Sequence, residues 1–175
     1  GVNASTGTGS VIIVAATPRW PGQTVRASVA TTGSEGNASS IFGGLPSADG
    51  RYVLFNSAAS NLVPGDANGT VDAFVLDRQT RETTRVSVAT DGGEGNDFSL
   101  ASDITPDGRY VAFTSLASNL VTGDTNNTYD AFVHDRQTGQ LALVSAGSNG
   151  ALANQNSQEP SISADGRYVA FRSFA

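Results

Sequence analysis

Asp107-Gly108-Arg109-Tyr110-Val111 is the stretch that decides the fold of this chain, because the same five residues also begin at Asp49 and Asp165. Each copy starts 58 residues after the one before it. Between residues 49–80 and 107–138, 24 of the 32 aligned positions are identical. A fixed period of this kind indicates a repeat architecture, in which one supersecondary unit is stacked several times.

Within one repeat the apolar residues alternate with period two, as they do in β-strands. The segments Arg109–Ser115, Tyr129–Asp135 and Leu141–Ser145 predict three strands, and the short segment Ser102–Thr105 before the Asp-Gly pair predicts a fourth. The glycine stands where a tight turn between strands requires positive φ. Four antiparallel strands in each 58-residue repeat predict an all-β fold, a β-propeller with four-stranded antiparallel blades. No helical periodicity supports a solenoid.

These residues resemble the core motif of the TolB-type, or PD40 (WD40-like), β-propeller repeat. The motif is carried by Asp103–Phe113 and Ile162–Phe171, and Asp135–Gly139 resembles that family's turn between strands three and four. The resemblance runs from Val25 to the C-terminus, whereas Gly1–Thr24 is degenerate. It implies propeller blades. Residues 1–175 hold no TolB-like N-terminal domain, so TolB's own role does not carry over.

The chain is expected to be a single propeller segment that is out of phase with its blades. Residues 1–36 would supply strands three and four of one blade, residues 37–95 and 96–153 two whole blades, and residues 154–175 strands one and two of another. That makes three blade-equivalents per chain, whereas propellers have about four or more. We therefore expect half-blades to pair between chains, as a six-bladed head-to-tail dimer. The alternatives are a structural subunit of an extracellular filament and an excised fragment of a larger propeller protein.

Composition limits the partners and the location. The net charge is −6, so neither nucleic acid nor an anionic membrane surface is an expected partner, since both need basic patches. The apolar run Val11–Ala16 is about a third of the length needed to cross a bilayer, so no membrane insertion is expected. All ten basic residues are arginine. A lysine-free surface rich in Asn, Ser, Thr and Gly is typical of an extracellular or periplasmic protein.

The sequence predicts no catalytic residues. It has one histidine, His134, no cysteine and no Gly-x-Ser-x-Gly motif. The sequence therefore lacks the catalytic residues of the hydrolases and metal-dependent lyases that are built on related propellers. We expect a non-catalytic binding or assembly module rather than an enzyme, with a second copy of the chain as its partner and a protein or a glycan as a candidate ligand. His134 is expected at an exposed strand position, and Trp20 is a candidate interface anchor or an ordinary packing residue.

Long loops are expected on one face of the propeller, opposite the tight turns. Ser57–Val71 and Ser115–Tyr129 would connect strands two and three, and Ala89–Ser99 and Ala146–Glu159 would connect one blade to the next. Loops held by a rigid scaffold carry most binding sites, so a ligand is expected on this face. On the tight-turn face, Arg51, Arg109 and Arg167 are expected to be structural and to pair with Asp77 or Asp135.

Two of the long loops have oxygen-bearing side chains at alternate positions, and these are candidate Ca²⁺ ligands: Asp66, Asn68, Thr70 and Asp72 in the first loop, and Asp124, Asn126, Thr128 and Asp130 in the second. Oxygens at positions 1, 3, 5 and 7 resemble the start of an EF-hand-type Ca²⁺ loop. The bidentate glutamate at position 12 is missing. The alternative is a loop in which Asp and Asn cap their own backbone as Asx-turns, and both interpretations stay open.

Overall fold

The computed structural model describes residues 12–13 and 25–175 of the chain. These residues form β-strands joined by turns and loops. Their bounds are β1 Ile12–Ile13, β2 Val25–Arg26, β3 Ser40–Pro46, β4 Tyr52–Ser57, β5 Asp72–Asp77, β6 Glu82–Arg85, β7 Ser99–Ile104, β8 Tyr110–Ser115, β9 Asp130–Asp135, β10 Gln140–Leu143, β11 Ser157–Ile162 and β12 Val169–Ser173. Within these ranges no helix is long and apolar enough to span a membrane. Trp20 lies outside the described residues.

The strands form four antiparallel sheets, each built from strands that are consecutive in the chain. β3–β6 form one four-stranded sheet and β7–β10 another, while β1 pairs with β2 and β11 pairs with β12. The prediction of an all-β protein with antiparallel sheets is confirmed. The strand before the second Asp-Gly pair is longer than predicted, because it starts at Ser99 and continues through a bulge between Ala101 and Asp103.

Each Asp-Gly turn is held by the aspartate side chain. In the first turn, Asp49 Oδ1 accepts hydrogen bonds from Ser47 Oγ at 2.7 Å and from the Arg51 backbone N–H at 2.9 Å. Gly50 has φ of 71°, a left-handed conformation that costs glycine little. The turns at Asp107 and Asp165 repeat these two bonds. The repeated motif therefore specifies one hairpin turn three times.

The arginine of the motif joins this turn to the third strand of its sheet. Arg51 Nε and Nη2 donate to the two carboxylate oxygens of Asp77 at 3.2 and 2.8 Å, and Arg109 contacts Asp135 in the same way at 3.1 and 2.7 Å. The predicted structural pairing is confirmed for these two arginines. The guanidinium hydrogen bonds hold the pKa of Asp77 down at about 2 and lower the pKa of Asp135 as well.

The core lies between successive sheets. Phe55 of β4 stacks on Phe74 of β5 with ring centroids 5.5 Å apart, and both rings are fully buried together with Ala27, which precedes the sheet. The other side of the same sheet packs against the next one through Leu54 and Val111. Alternating side chains thus face the preceding and the following sheet, which makes each sheet a layer in a stack.

Candidate functional site

The two kinds of long loop contact each other on one face of the molecule. Asn119, between β8 and β9, donates from Nδ2 to the carbonyl oxygen of Glu94 at 2.7 Å, and its Oδ1 accepts from the Asn96 backbone N–H at 2.9 Å. One repeat earlier, Asn61 makes the same two bonds, to Glu35 and Asn37. The asparagine side chains fix the loops to one another and give this face a defined shape.

A buried cluster of charges lies where the first of these loops meets the end of its sheet. We call the group formed by Asp66, Asp72, Arg85 and Glu94 the Arg85 cluster. Its three carboxylates have oxygens within 4.8 Å of one another. Arg85 Nη1 lies 2.6 Å from Glu94 Oε1 and 3.8 Å from an oxygen of each aspartate. The guanidinium therefore supplies the positive charge nearest to all three carboxylates among the described residues.

Hydrogen bonds from the loop hold the carboxylates in place. The backbone N–H of Ala67 donates to Glu94 Oε1 at 2.9 Å. Asp72 accepts from Ser87 Oγ at 2.6 Å and from Asn68 Nδ2 at 2.9 Å. Asn68 Oδ1 accepts from the Thr70 backbone N–H, also at 2.9 Å, which is an Asx-turn. In the first loop Asn68 thus caps the backbone and orients Asp72.

Burial dominates the electrostatics of the cluster. Desolvation, followed by the charge of Asp72, raises the pKa of Asp66 to about 6, and desolvation also raises the pKa of Asp72. Burial alone would also raise the pKa of Glu94. The backbone hydrogen bonds from Ala67 and Asn68, together with the Arg85 guanidinium, outweigh the effect of burial, so the pKa of Glu94 is lowered. One guanidinium faces three carboxylates, so the cluster carries excess negative charge above pH 6.

The second loop repeats the hydrogen bonds to its aspartate, but no arginine stands at the position equivalent to Arg85. Asn126 Nδ2 donates to Asp130 at 2.8 Å, and Ser145 Oγ donates to the same carboxylate at 2.6 Å. The positions 58 residues after Arg85 and Glu94 hold Leu143 and Leu152. Burial, followed by the charge of Asp130, raises the pKa of Asp124, which is only 8% exposed. This loop therefore holds two carboxylates in the same setting without the arginine.

The candidate ligands are thus only partly brought together as expected. The structure places Asp66 near Asp72, but Asn68 and Asn126 turn an N–H₂ group toward the neighbouring aspartate. In the first loop the third carboxylate comes from Glu94, which sequence reasoning did not include. The sequence repeats an arginine and a glutamate nine residues apart, as Arg26 and Glu35 and as Arg85 and Glu94, but this spacing does not by itself place Glu94 beside Asp66.

The expectation of an exposed His134 is wrong. Its side chain lies on the same side of β9 as Phe132, and the residue is only 7% exposed. Leu76, at the equivalent position of the preceding sheet, is likewise buried. Burial, followed by the charge of Arg136, lowers the pKa of His134 and so favours the neutral imidazole. His134 is a core residue that does not reach the loop face.

No protein-family model matches this chain, and no curated protein matches it. Solved structures do. A putative TolB from Agrobacterium tumefaciens superposes with a TM-score of 0.52 at 16% identity, over 87% of this chain and 43% of that one. The tricorn protease gives 0.50 at 12% identity, over 86% and 12% of the two chains. A prolyl endopeptidase gives 0.50 at 17% identity, over 86% and 21%.

All three of these structures are β-propeller proteins. Identities this low bear on the fold alone, and they show that this chain has a β-propeller fold, as the resemblance to TolB-type repeats implied. This chain spans less than half the length of each of these three structures.

Proposed function

We propose that this chain is a non-catalytic β-propeller module that assembles with copies of itself, by completing a split blade, and that binds a protein or glycan on its long-loop face. The observation that carries the proposal is the exposure of Phe171 in β12. Phe55 and Phe113, at the equivalent positions of β4 and β8, are fully buried, whereas Phe171 is 37% exposed.

The difference comes from the third strand of the sheet. Phe55 stacks on Phe74 of β5, and Phe113 stacks on Phe132 of β9 with centroids 5.4 Å apart. Among the described strands, β12 pairs only with β11, so no described strand covers the edge and the apolar side on which a third strand would lie. An open edge of this kind is a template for a strand from another chain.

The other two-stranded sheet would supply the two strands that the sheet of β11 and β12 is missing among the described residues. β1 pairs with β2 through Ile12 and Arg26, in the register that joins Phe74 to Arg85 in the first four-stranded sheet. By this register β1 is a third strand and β2 a fourth. A β1–β2 hairpin from a second copy would complete the sheet begun by β11 and β12. Two copies that close on each other would form six blades, and a rotation that does not close would form a filament.

The long-loop face supports a binding role, because it is rigidly held and polar. The excess negative charge of the Arg85 cluster favours a ligand that presents a basic or hydroxyl-rich group. In the second loop, where Leu143 replaces the arginine, Ca²⁺ at Asp124 and Asp130 remains a proposal that rests on its two carboxylates. The lysine-free composition supports an extracellular or periplasmic location for such a module.

The assembly is tested by measuring the mass of the chain in solution by sedimentation equilibrium. We expect twice 17.9 kDa, about 36 kDa, or a larger polymer if the ring does not close. Phe171→Asp should return the mass to that of the monomer, because a carboxylate cannot be buried beneath an added strand. Thr125→Asp, which adds the same charge at an exposed loop residue, is the matched control. A folded wild-type monomer of 17.9 kDa would rule out the proposal.

A further inference from the structure

A tyrosine of each Asp-Gly-Arg-Tyr turn packs on the glycine of the next turn. A Cβ placed on Gly108 would lie 2.3 Å from Tyr52 Cε2, and one placed on Gly166 would lie 2.5 Å from Tyr110 Cδ2. Such distances are far shorter than any van der Waals contact, so only glycine fits beneath the ring. The same contact therefore joins the first four-stranded sheet to the second, and the second to β11–β12.

An arginine covers the ring from the other sheet. The Arg136 guanidinium lies 5.3 Å from the centroid of Tyr52, and its Nη1 donates to the carbonyl oxygen of Gly108 at 2.7 Å. The Arg51 guanidinium lies 4.8 Å from the same centroid. A cation within about 6 Å of an aromatic ring is attracted by its quadrupole. We call the tyrosine of one sheet, together with the glycine and arginine of the next, the tyrosine clasp.

The described residues also contain two unmatched halves of this clasp. Tyr168, the third tyrosine of the repeat, is 65% exposed. Gly50, the first glycine, has Arg78 Nη1 at 3.7 Å from a Cβ placed on it, and no other group of residues 12–13 and 25–175 lies within 4 Å of that position. Arg78 already donates to the carbonyl oxygen of Gly50 at 2.7 Å, the bond that Arg136 makes to Gly108. In the part of the chain that the structure describes, no glycine packs on Tyr168 and no tyrosine packs on Gly50.

We propose that Tyr168 of one copy packs on Gly50 of the next copy, beneath Arg78, and so closes a tyrosine clasp between chains. This inference rests on the proposed assembly and specifies its second contact. A copy that lends β1 and β2 to the split blade continues directly into β3 and β4, whose turn contains Gly50. The sheet that follows the completed blade is therefore the one that carries the unmatched glycine. A second copy fits both halves because the tyrosine–glycine contact already occurs twice within the chain, at Gly108 and Gly166, and the covering arginine once, at Arg136.

The clasp is tested by a double-mutant cycle on the dissociation constant of the dimer, measured by sedimentation velocity. Gly50→Asn adds a side chain where the ring would lie, and asparagine tolerates the positive φ of this position. Gly65→Asn is the matched control, because Gly65 has φ of 74° and open space around its Cβ. Tyr168→Ala removes the other half. Each contact is worth about tenfold in affinity, so a dimer with two of them should weaken about 100-fold in either single variant.

The double variant Gly50→Asn/Tyr168→Ala should dissociate no more readily than Tyr168→Ala alone, because the added side chain then meets no ring. If the two substitutions instead multiply their effects, or if Gly65→Asn weakens the dimer as much as Gly50→Asn does, the clasp is wrong while the blade completion stands. A wild-type chain that stays monomeric overturns both. Circular dichroism of each variant shows whether the change acts on assembly or on folding.

Discussion

Replacing Arg85 with leucine removes the guanidinium that lies among three carboxylates. The Arg85 side chain is 8% exposed, and those of Asp66, Asp72 and Glu94 are 4%, 0% and 20% exposed. Removing one partner of a buried ion pair costs about 3–5 kcal/mol, because the remaining charges are left without compensation. We therefore expect Arg85→Leu to lower the free energy of unfolding at pH 8 by roughly that amount.

The second repeat supplies the compensating change. With Arg85→Leu alone the cluster holds three carboxylates and no cation, whereas Arg85→Leu/Glu94→Leu leaves two carboxylates, the same net charge as the wild-type cluster. The second loop already has this arrangement, with Leu143 and Leu152 at the two positions. The double variant should therefore lose only about 1–2 kcal/mol, less than Arg85→Leu alone. With Glu94→Leu measured as the second single variant, the cycle gives the coupling energy between Arg85 and Glu94.

Urea denaturation at pH 8 and at pH 5 measures these quantities. The folded-state pKa of Asp66 is raised to about 6, so its neutral form is favoured in the fold and the protein loses stability as the pH rises through 6. At pH 5 Asp66 is mostly protonated, so removing Arg85 leaves fewer charges without compensation. The loss of unfolding free energy caused by Arg85→Leu should therefore be smaller at pH 5 than at pH 8. Arg26→Leu is the control, because the Arg26–Glu35 pair is 27% and 65% exposed and should cost less than about 1 kcal/mol. A loss below that value for Arg85→Leu, or additive effects in the double variant, would refute the reasoning.

Three further predictions follow from other contacts. Gly108→Ala should lower the free energy of unfolding by about 3 kcal/mol, because the new Cβ meets Tyr52. Gly123→Ala is the control and should cost about 1 kcal/mol, since Gly123 also has positive φ but open space around its Cβ. Equal losses in urea denaturation would contradict this. The lowered pKa of Asp77 means that its pairing stabilises the fold at neutral pH and is lost as the pH falls from 4 to 2, so the melting temperature of Arg51→Met should fall less over that range. If the second loop binds Ca²⁺, millimolar Ca²⁺ should raise the melting temperature by about 5 °C, and Asp124→Asn should abolish the rise; an unchanged wild-type temperature would eliminate the site.

The strands and the tight turns could be predicted because their determinants are local and repeated. Alternation sets the strands, and the aspartate of each Asp-Gly pair accepts bonds from residues two positions away on either side. The Arg51–Asp77 pair was also within reach, since a hairpin brings the turn beside the third strand. The Arg85 cluster was not, because Glu94 reaches Asp66 only once loops from different connections pack together. The burial of His134 could not be predicted either, because it depends on how neighbouring sheets pack.

The phase of the repeat explains why assembly would need no specialised surface. In a stack of near-identical sheets, each sheet buries one side against its predecessor and the other against its successor, through Phe55-type rings and tyrosine clasps. An unmatched sheet therefore exposes the same residues that form the core elsewhere, here Phe171 and Tyr168. The residues that would join two copies in the proposed assembly are equivalent to those that join two sheets, so affinity between copies and stability of the fold would have one origin. It follows that a substitution of Gly108, within the chain, and one of Gly50, between chains, should act through the same contact, the first on unfolding and the second on dissociation.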